Sequence, residues 1–177
     1  MMKFVWPAKE HESRAVEFIS EFRVHSARIH GVGGLTRYVD DSSYNEWLDK
    51  LQNGMDILNI PEGFVASTTY FYMGGDRIIG MINIRLSLNE RLKQYGGHIG
   101  YCIRPTEWNK GHGTRMLREA LPFINLVVKE DILIFCDKDN PASAKVITNN
   151  GGILLDEYID ETDGKLVQKY AIRQEKI

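Results

Sequence analysis

Residues 108–117 read WNKGHGTRML, and their types and spacing suit the binding of an anion. Gly111 and Gly113 flank His112, Lys110 adds a cation, and Thr114 adds a hydroxyl, all at the entrance to a helically periodic run that includes Met116, Leu117 and Ala120. The first turn of a helix carries backbone N–H groups with no partner and a partial positive charge, and missing Cβ atoms let a phosphate come close. A plain loop–helix junction needs no second glycine inside the helix, where glycine costs about 1 kcal/mol relative to alanine. Three phosphate-binding patterns compete for the stretch. The P-loop fails, because Lys110 precedes Gly111 and Thr114 follows Gly113 without a lysine. The dinucleotide fingerprint wants a third glycine at Met116, and Asp137 could supply only its acidic partner. The third pattern, a strand and turn followed by x-x-Gly-x-Gly opening a helix, is met by Asn109-Lys110-Gly111-His112-Gly113-Thr114.

The elements that must position this turn are visible on both sides. HIGYCI (98–103), halted by Pro105, reads as the third strand of a meander. Its first two strands are FVASTTYFYM (64–73) and RIIGMINIRLSL (77–88), β-branched and aromatic, around a tight turn at Gly74-Gly75-Asp76. A polar connection at 89–97 has room for one helical turn. After the glycine turn, Pro122 is expected to end or kink the helix. ILIFCD (132–137) is a continuous apolar run, as in a strand covered on both faces. In NPASAKVITNNGG (140–152), Asn140 is the cap, Pro141 opens the helix and Gly151-Gly152 stops it. A terminal hairpin (153–162 and 165–173) turns at Asp163-Gly164. At the N-terminus, a short strand (3–6) ends at Pro7. A helix over 8–26 follows, with apolar Ala15, Val16, Ile19 and Phe22 and an extension to Ala27. Residues 31–43 read as a glycine-rich, then acidic loop, and Ser43 is placed to cap a helix over 44–53 that Gly54 ends.

Length and composition bound the class. A chain of 177 residues, 43% hydrophobic and 26% charged, suffices for one domain with its own core, spanning residues 1–177. A net charge of -2 advertises neither nucleic acid nor an anionic membrane as partner. The N-terminus lacks the apolar segment of a signal peptide, and no run approaches the roughly 18 apolar residues of a membrane span. Cys102 and Cys136 each sit in an apolar, strand-like run and read as buried free thiols in a reducing, cytoplasmic setting. No Cys and His spacing fits a zinc site, so no metal is expected.

With its flanking elements, IGYCIRPTEWNKGHGTRMLREAL followed by ILIFCDKDNPASAKVITNNGG resembles the GNAT superfamily of acetyl-CoA-dependent N-acetyltransferases, most specifically over residues 97–155. The resemblance implies an α/β fold: a central mixed, mostly antiparallel sheet of six to seven strands flanked by helices. It implies acetyl-CoA as co-substrate, with Asn109, Lys110, Gly111, His112, Gly113 and Thr114 gripping the pyrophosphate. Lys110 could add a point charge. Where the family usually has Arg or Gln, this chain has Trp108, which puts one side-chain contribution to that grip in question. Tyr101, Cys102 and Ile103 would present their backbone to the pantetheine arm, and backbone amides there can stabilise an oxyanion. Asn140 and Ser143 match the family's Asn-x-x-Ser/Ala helix start, and simple capping explains them equally well.

The resemblance further implies attack by an amine on the thioester, in a ternary complex with a small-molecule or peptide acceptor. The tyrosine that often protonates the departing thiolate falls at Ile147, so Tyr101, Cys136 or water must serve instead. His98 is the first candidate for the base, since its pKa suits neutral pH; Glu107 and Asp137 are the reserves. Neither cysteine has an adjacent histidine, which argues against a covalent route. The aromatic TTYFYM run could line the acceptor pocket, although aromatic strands are usually core. Asp40-Asp41 could attract a cationic amine such as a polyamine or aminoglycoside. Transfer of another acyl group, a non-catalytic CoA-binding sensor and a homodimer remain open readings.

Overall fold

A computed structural model of the chain describes residues 1–25, 29–40, 43–58, 60–161 and 163–174. The strands are β1 (Met2–Val5), β2 (Ser67–Gly74), β3 (Arg77–Arg85), β4 (Ile99–Ile103), β5 (Ile132–Asp137), β6 (Gly152–Ile159) and β7 (Leu166–Ile172). The helices are α1 (Glu12–Val24), α2 (Leu35–Asp40), α3 (Tyr44–Asn53), α4 (Glu90–Gln94), α5 (His112–Val127) and α6 (Pro141–Thr148). The seven strands form one sheet in the order β1-β2-β3-β4-β5-β7-β6. All neighbours run antiparallel except β4 and β5, which are parallel and joined by α5. This is the mixed, mostly antiparallel α/β sheet that the sequence predicts.

The meander forms because β2 and β3 alternate bulky apolar side chains to both faces of the sheet, with Gly75 at φ +60° in the turn. One face carries Phe71, Met73, Ile78, Met81 and Cys102 against α1, α2 and α3. The other carries Tyr72, Ile82, Ile84, Ile99 and Ile134 against Met116, Leu117, Ala120 and Ile124 of α5 and Ile147 of α6. Among the described residues, no helix is long and apolar enough to cross a membrane.

Several elements differ from expectation. The first helix begins with a 3-10 turn at Lys9–His11, and its buried stripe is Ala15, Phe18, Ile19 and Phe22. Val16 is 40% exposed, because Phe18 continues the i, i+3, i+4, i+7 spacing that Val16 breaks. Ala27 lies outside the described residues. The acidic loop holds α2, anchored by fully buried Leu35. Ser43 occupies the cap position of α3 without a side-chain hydrogen bond. Pro122 neither ends nor breaks α5, which runs on to Val127. Proline removes the hydrogen bond to the carbonyl four residues back. Here that carbonyl belongs to Arg118 on the exposed side, while Ile124 and Val128 beyond the proline stay buried. Tertiary packing outweighs the local cost.

Candidate functional site

The parallel pair at the sheet centre is joined only briefly. β4 and β5 register at Ile99↔Ile134 and then part, while β4 stays paired with β3 through Ile103 and β5 with β7 through Asp137. Tyr101, Cys102 and Ile103 therefore border a gap, and they line a cleft of about 770 Å³. The cleft continues over Trp108, Asn109 and Gly111–Thr114, and is closed on its other side by Asn140, Ser143 and further residues of α6. Eleven of the twelve residues assigned to the co-substrate line this one cleft. Lys110 is absent from the lining, since its ammonium turns to the Glu107 carboxylate at 3.1 Å.

The turn owes its shape to two residues in the left-handed region, Asn109 at φ 60° and Gly111 at φ 79°. Gly111 is the cap of α5 and supplies no side-chain hydrogen bond. The first helical bond runs from Arg115 N to Gly111 O at 3.0 Å. The amides of His112, Gly113 and Thr114 precede it, have no helical partner and open onto the cleft. A Cβ at Gly111 would meet nothing within 4 Å, so the backbone there is open to a ligand. Gly113 has another task. A Cβ on it would come within 2.9 Å of Val146 Cγ2, so the missing methyl lets α5 and α6 pack closely. Trp108 donates from Nε1 to Ile103 O at 2.6 Å, tying the turn to the end of β4, and its ring meets His25 edge-on.

On α6, Asn140 Oδ1 accepts from Ser143 N at 3.1 Å, so Asn140 does cap the helix. The Ser143 hydroxyl lies 2.8 Å from the Tyr101 hydroxyl, and the Cys136 thiol donates to Gln168 Oε1 at 3.9 Å. Burial pushes the Tyr101 phenol well above its ordinary pKa and raises Cys136 to about 11 and Cys102 to about 12. Both thiols are buried, free and protonated at neutral pH. Ile147, at the position of the family tyrosine, is fully buried and faces the core.

His98 is not among the residues lining the cleft. It is fully buried at the start of β4, with Nδ1 accepting from Leu133 N at 3.0 Å and Nε2 donating to Glu130 Oε1 at 3.1 Å. Burial lowers its pKa, and the Leu133 bond requires an unprotonated Nδ1. Its geometry is that of a pin between β4 and β5 ahead of the gap, so the expected role as base loses its footing. Glu107 is equally poor as a base. The Lys110 hydrogen bond, reinforced by Arg77 and His112, keeps its carboxyl below the usual range. Asp137 lines the cleft 3.7 Å from Lys165. Asp40 pairs with Arg23, and Asp41 lies outside the described residues. The TTYFYM run lies mainly in the sheet core, as the plainer reading holds. Sequence reasoning missed His30, Phe22, Asp139, Lys145, Asn149 and Lys165, which also line the cleft. His30 has one local signal, its place beside the left-handed Gly31; the others reach the cleft by tertiary folding.

A splayed parallel strand pair beside a helix entered through unpartnered amides is a site suited to an extended ligand with an anionic end. A family model for the acetyltransferase (GNAT) domain matches residues 7–153, and the chain belongs to that family. Among solved structures, it superposes on the microcin C7 self-immunity acetyltransferase MccE, in complex with acetyl-CoA and AMP, with a TM-score of 0.70 at 14% identity, covering 98% of this chain and 92% of that one. RimL, the ribosomal L7/L12 alpha-N-protein acetyltransferase in complex with coenzyme A, gives 0.67 at 17% identity, covering 97% and 93%. AAC(6')-Ib in complex with ribostamycin and coenzyme A gives 0.66 at 14%, also covering 97% and 93%. No curated protein sequence matches the chain.

Proposed function

We propose that the chain transfers an acetyl group from acetyl-CoA to a primary amine of a small molecule or peptide, by direct attack in a ternary complex. The observation that carries this reading is the meeting, in one cleft, of three partnerless first-turn amides of α5 with the edge that β4 turns away from β5. In this reading the turn holds the pyrophosphate, the free edge of β4 pairs with the amides of the pantetheine arm, and the thioester lies in the gap. Family membership and the neighbours crystallised with acetyl-CoA or coenzyme A support it.

The chemistry follows from the groups around the gap. The neutral amine attacks the thioester carbon, backbone amides of β4 hold the oxyanion, and the C–S bond breaks. The linked hydroxyls of Ser143 and Tyr101, 2.8 Å apart beside the gap, hydrogen-bond the departing thiolate, which takes its proton from water in place of the missing helix tyrosine. His30, exposed at the same cleft, takes the role expected of His98 and receives the amine proton. A covalent acetyl-cysteine route is disfavoured because both thiols are held in the protonated form.

Calorimetry with acetyl-CoA, followed by free-thiol release with a panel of primary amines, tests the reading. No heat at millimolar acetyl-CoA removes it. Binding without thiol release on any amine replaces it with a CoA-binding sensor.

A further inference from the structure

The turn that carries the proposed pyrophosphate grip is entered past a carboxylate. Glu107 lines the cleft, with its side chain 15% exposed, two residues before Asn109. Its Oε1 accepts from Arg77 Nη1 at 2.8 Å, and its Oε2 takes Lys110 Nζ at 3.1 Å and lies 3.4 Å from His112 Nε2. Arg77 also reaches Glu21 of α1 at 3.3 Å and Thr106 Oγ1 at 3.0 Å. Glu21 in turn accepts from both Thr106 N and Thr106 Oγ1 at 2.8 Å. Glu107 is therefore held in place from α1 and β3. It presents one oxygen to both the Lys110 ammonium and the His112 imidazole of the turn.

We infer that Glu107 acts as an internal counter-anion to the turn: it holds Lys110 and His112 off the phosphate position, and a bound pyrophosphate must compete with it for both. This rests on the CoA reading and adds an affinity-setting residue to it. The backbone amides, which have no such competitor, make the first contact. The Lys110 ammonium exchanges one anion for another, so its net contribution to binding is small. Glu107 itself stays on Arg77 and adds like-charge repulsion toward the incoming phosphates. A site optimised only for tight binding would not place a fixed carboxylate there. One that must release coenzyme A after each turnover benefits from it.

The test is calorimetric titration of coenzyme A into the wild type, Glu107→Gln, Lys110→Ala and the double variant, each with its thermal melt. Removing the charge while keeping the shape tightens binding by about threefold to tenfold, the scale of a partly exposed charge pair. Lys110→Ala changes wild-type affinity by less than about twofold, yet in the Glu107→Gln background it abolishes most of the gain. Unchanged or weaker binding by Glu107→Gln overturns the inference, as does an equal cost of Lys110→Ala in both backgrounds. Should Glu107→Gln fail to fold, Lys110→Ala alone decides: a loss of tenfold or more shows that the ammonium already serves the phosphate. If the wild type binds no coenzyme A, the proposed function itself falls.

Discussion

Replacing Gly31 by alanine separates backbone strain from steric contact in the strap of residues 29–34 that lies against β4. Gly31 has φ +69°, and a Cβ built on it would lie 2.2 Å from Gly100 C and O and 2.3 Å from Tyr101 N. These are backbone atoms of a paired strand, so no rotamer change relieves the overlap. The strap must retreat by about 1 Å to reach ordinary contact. Gly63 provides the control, with φ +81° and nothing within 4 Å of its Cβ position. Both substitutions incur about 1–2 kcal/mol for placing a side chain in the left-handed region. Both also gain the same few tenths from a stiffer unfolded chain. The added overlap at Gly31 costs about another 1–3 kcal/mol, the usual scale of overpacking. Net of that gain, urea unfolding is expected to show Gly31→Ala less stable than wild type by about 1.5–4.5 kcal/mol and Gly63→Ala by about 0.5–1.5 kcal/mol. Coenzyme A affinity should fall only in Gly31→Ala, whose strap leads from His30 at the cleft. Equal destabilisation by the two variants would refute the close approach.

Pro122→Ala restores one helical hydrogen bond at an exposed position of α5 and should stabilise the protein by about 1–3 kcal/mol in a thermal melt. Installing the family tyrosine by Ile147→Tyr should yield no faster turnover and destabilise by about 1–3 kcal/mol, because Ile147 Cγ2 lies 2.3 Å from the Cβ position of Gly152 and faces the core. Ser143→Ala should lower kcat by about tenfold to a hundredfold with a smaller effect on the KM for acetyl-CoA, measured as thiol release. His98 has a lowered pKa in the fold, so its contribution to stability is complete above the ordinary histidine value of about 6.5 and is lost as pH falls through the lower folded value. His98→Gln should flatten that acid-side slope in unfolding experiments run from pH 7 to 5, and an unaltered slope would count against the pin.

Most of the lining of the cleft was legible in the sequence because its parts are local. A glycine turn, the strand before it and a capped helix after the next strand each carry a short-range signature, and one parallel crossover brings them together. Of the catalytic candidates His98, Tyr101 and Cys136, only His98 lies away from the cleft or its neighbouring hydroxyls, for a physical reason. His98 has an ordinary histidine's chemistry, and only the long-range bonds to Leu133 and Glu130 reveal its structural use. Tyr101 and Ser143, by contrast, are 42 residues apart and touch because β4 and α6 flank the same gap. Pro122 misled because propensity is local and the burial of Ile124 is not. The second glycine of the turn was noticed for its likeness to phosphate sites, yet its missing methyl also answers to Val146. Glu107's hold on Lys110 is only three residues long, but its anchoring by Arg77 spans 30 and has no sequence signal.

The brief register of β4 with β5 has a mechanical consequence. The sheet is two plates, β1–β4 and β5–β7, laced by a single ladder pair and by the His98–Leu133 bonds at one end. Alongside α5, which bridges them covalently, the lacing beyond that point falls to whatever lies in the seam. In the proposed function, a ligand arm with amides of its own would act there as a missing strand, and its binding would also be the suture of the two plates. Affinity for the co-substrate and rigidity of the sheet then become one quantity. Amide exchange in β4 and β5 should slow together when the seam is filled, and a mutation that lets the plates drift apart will weaken binding without touching the ligand.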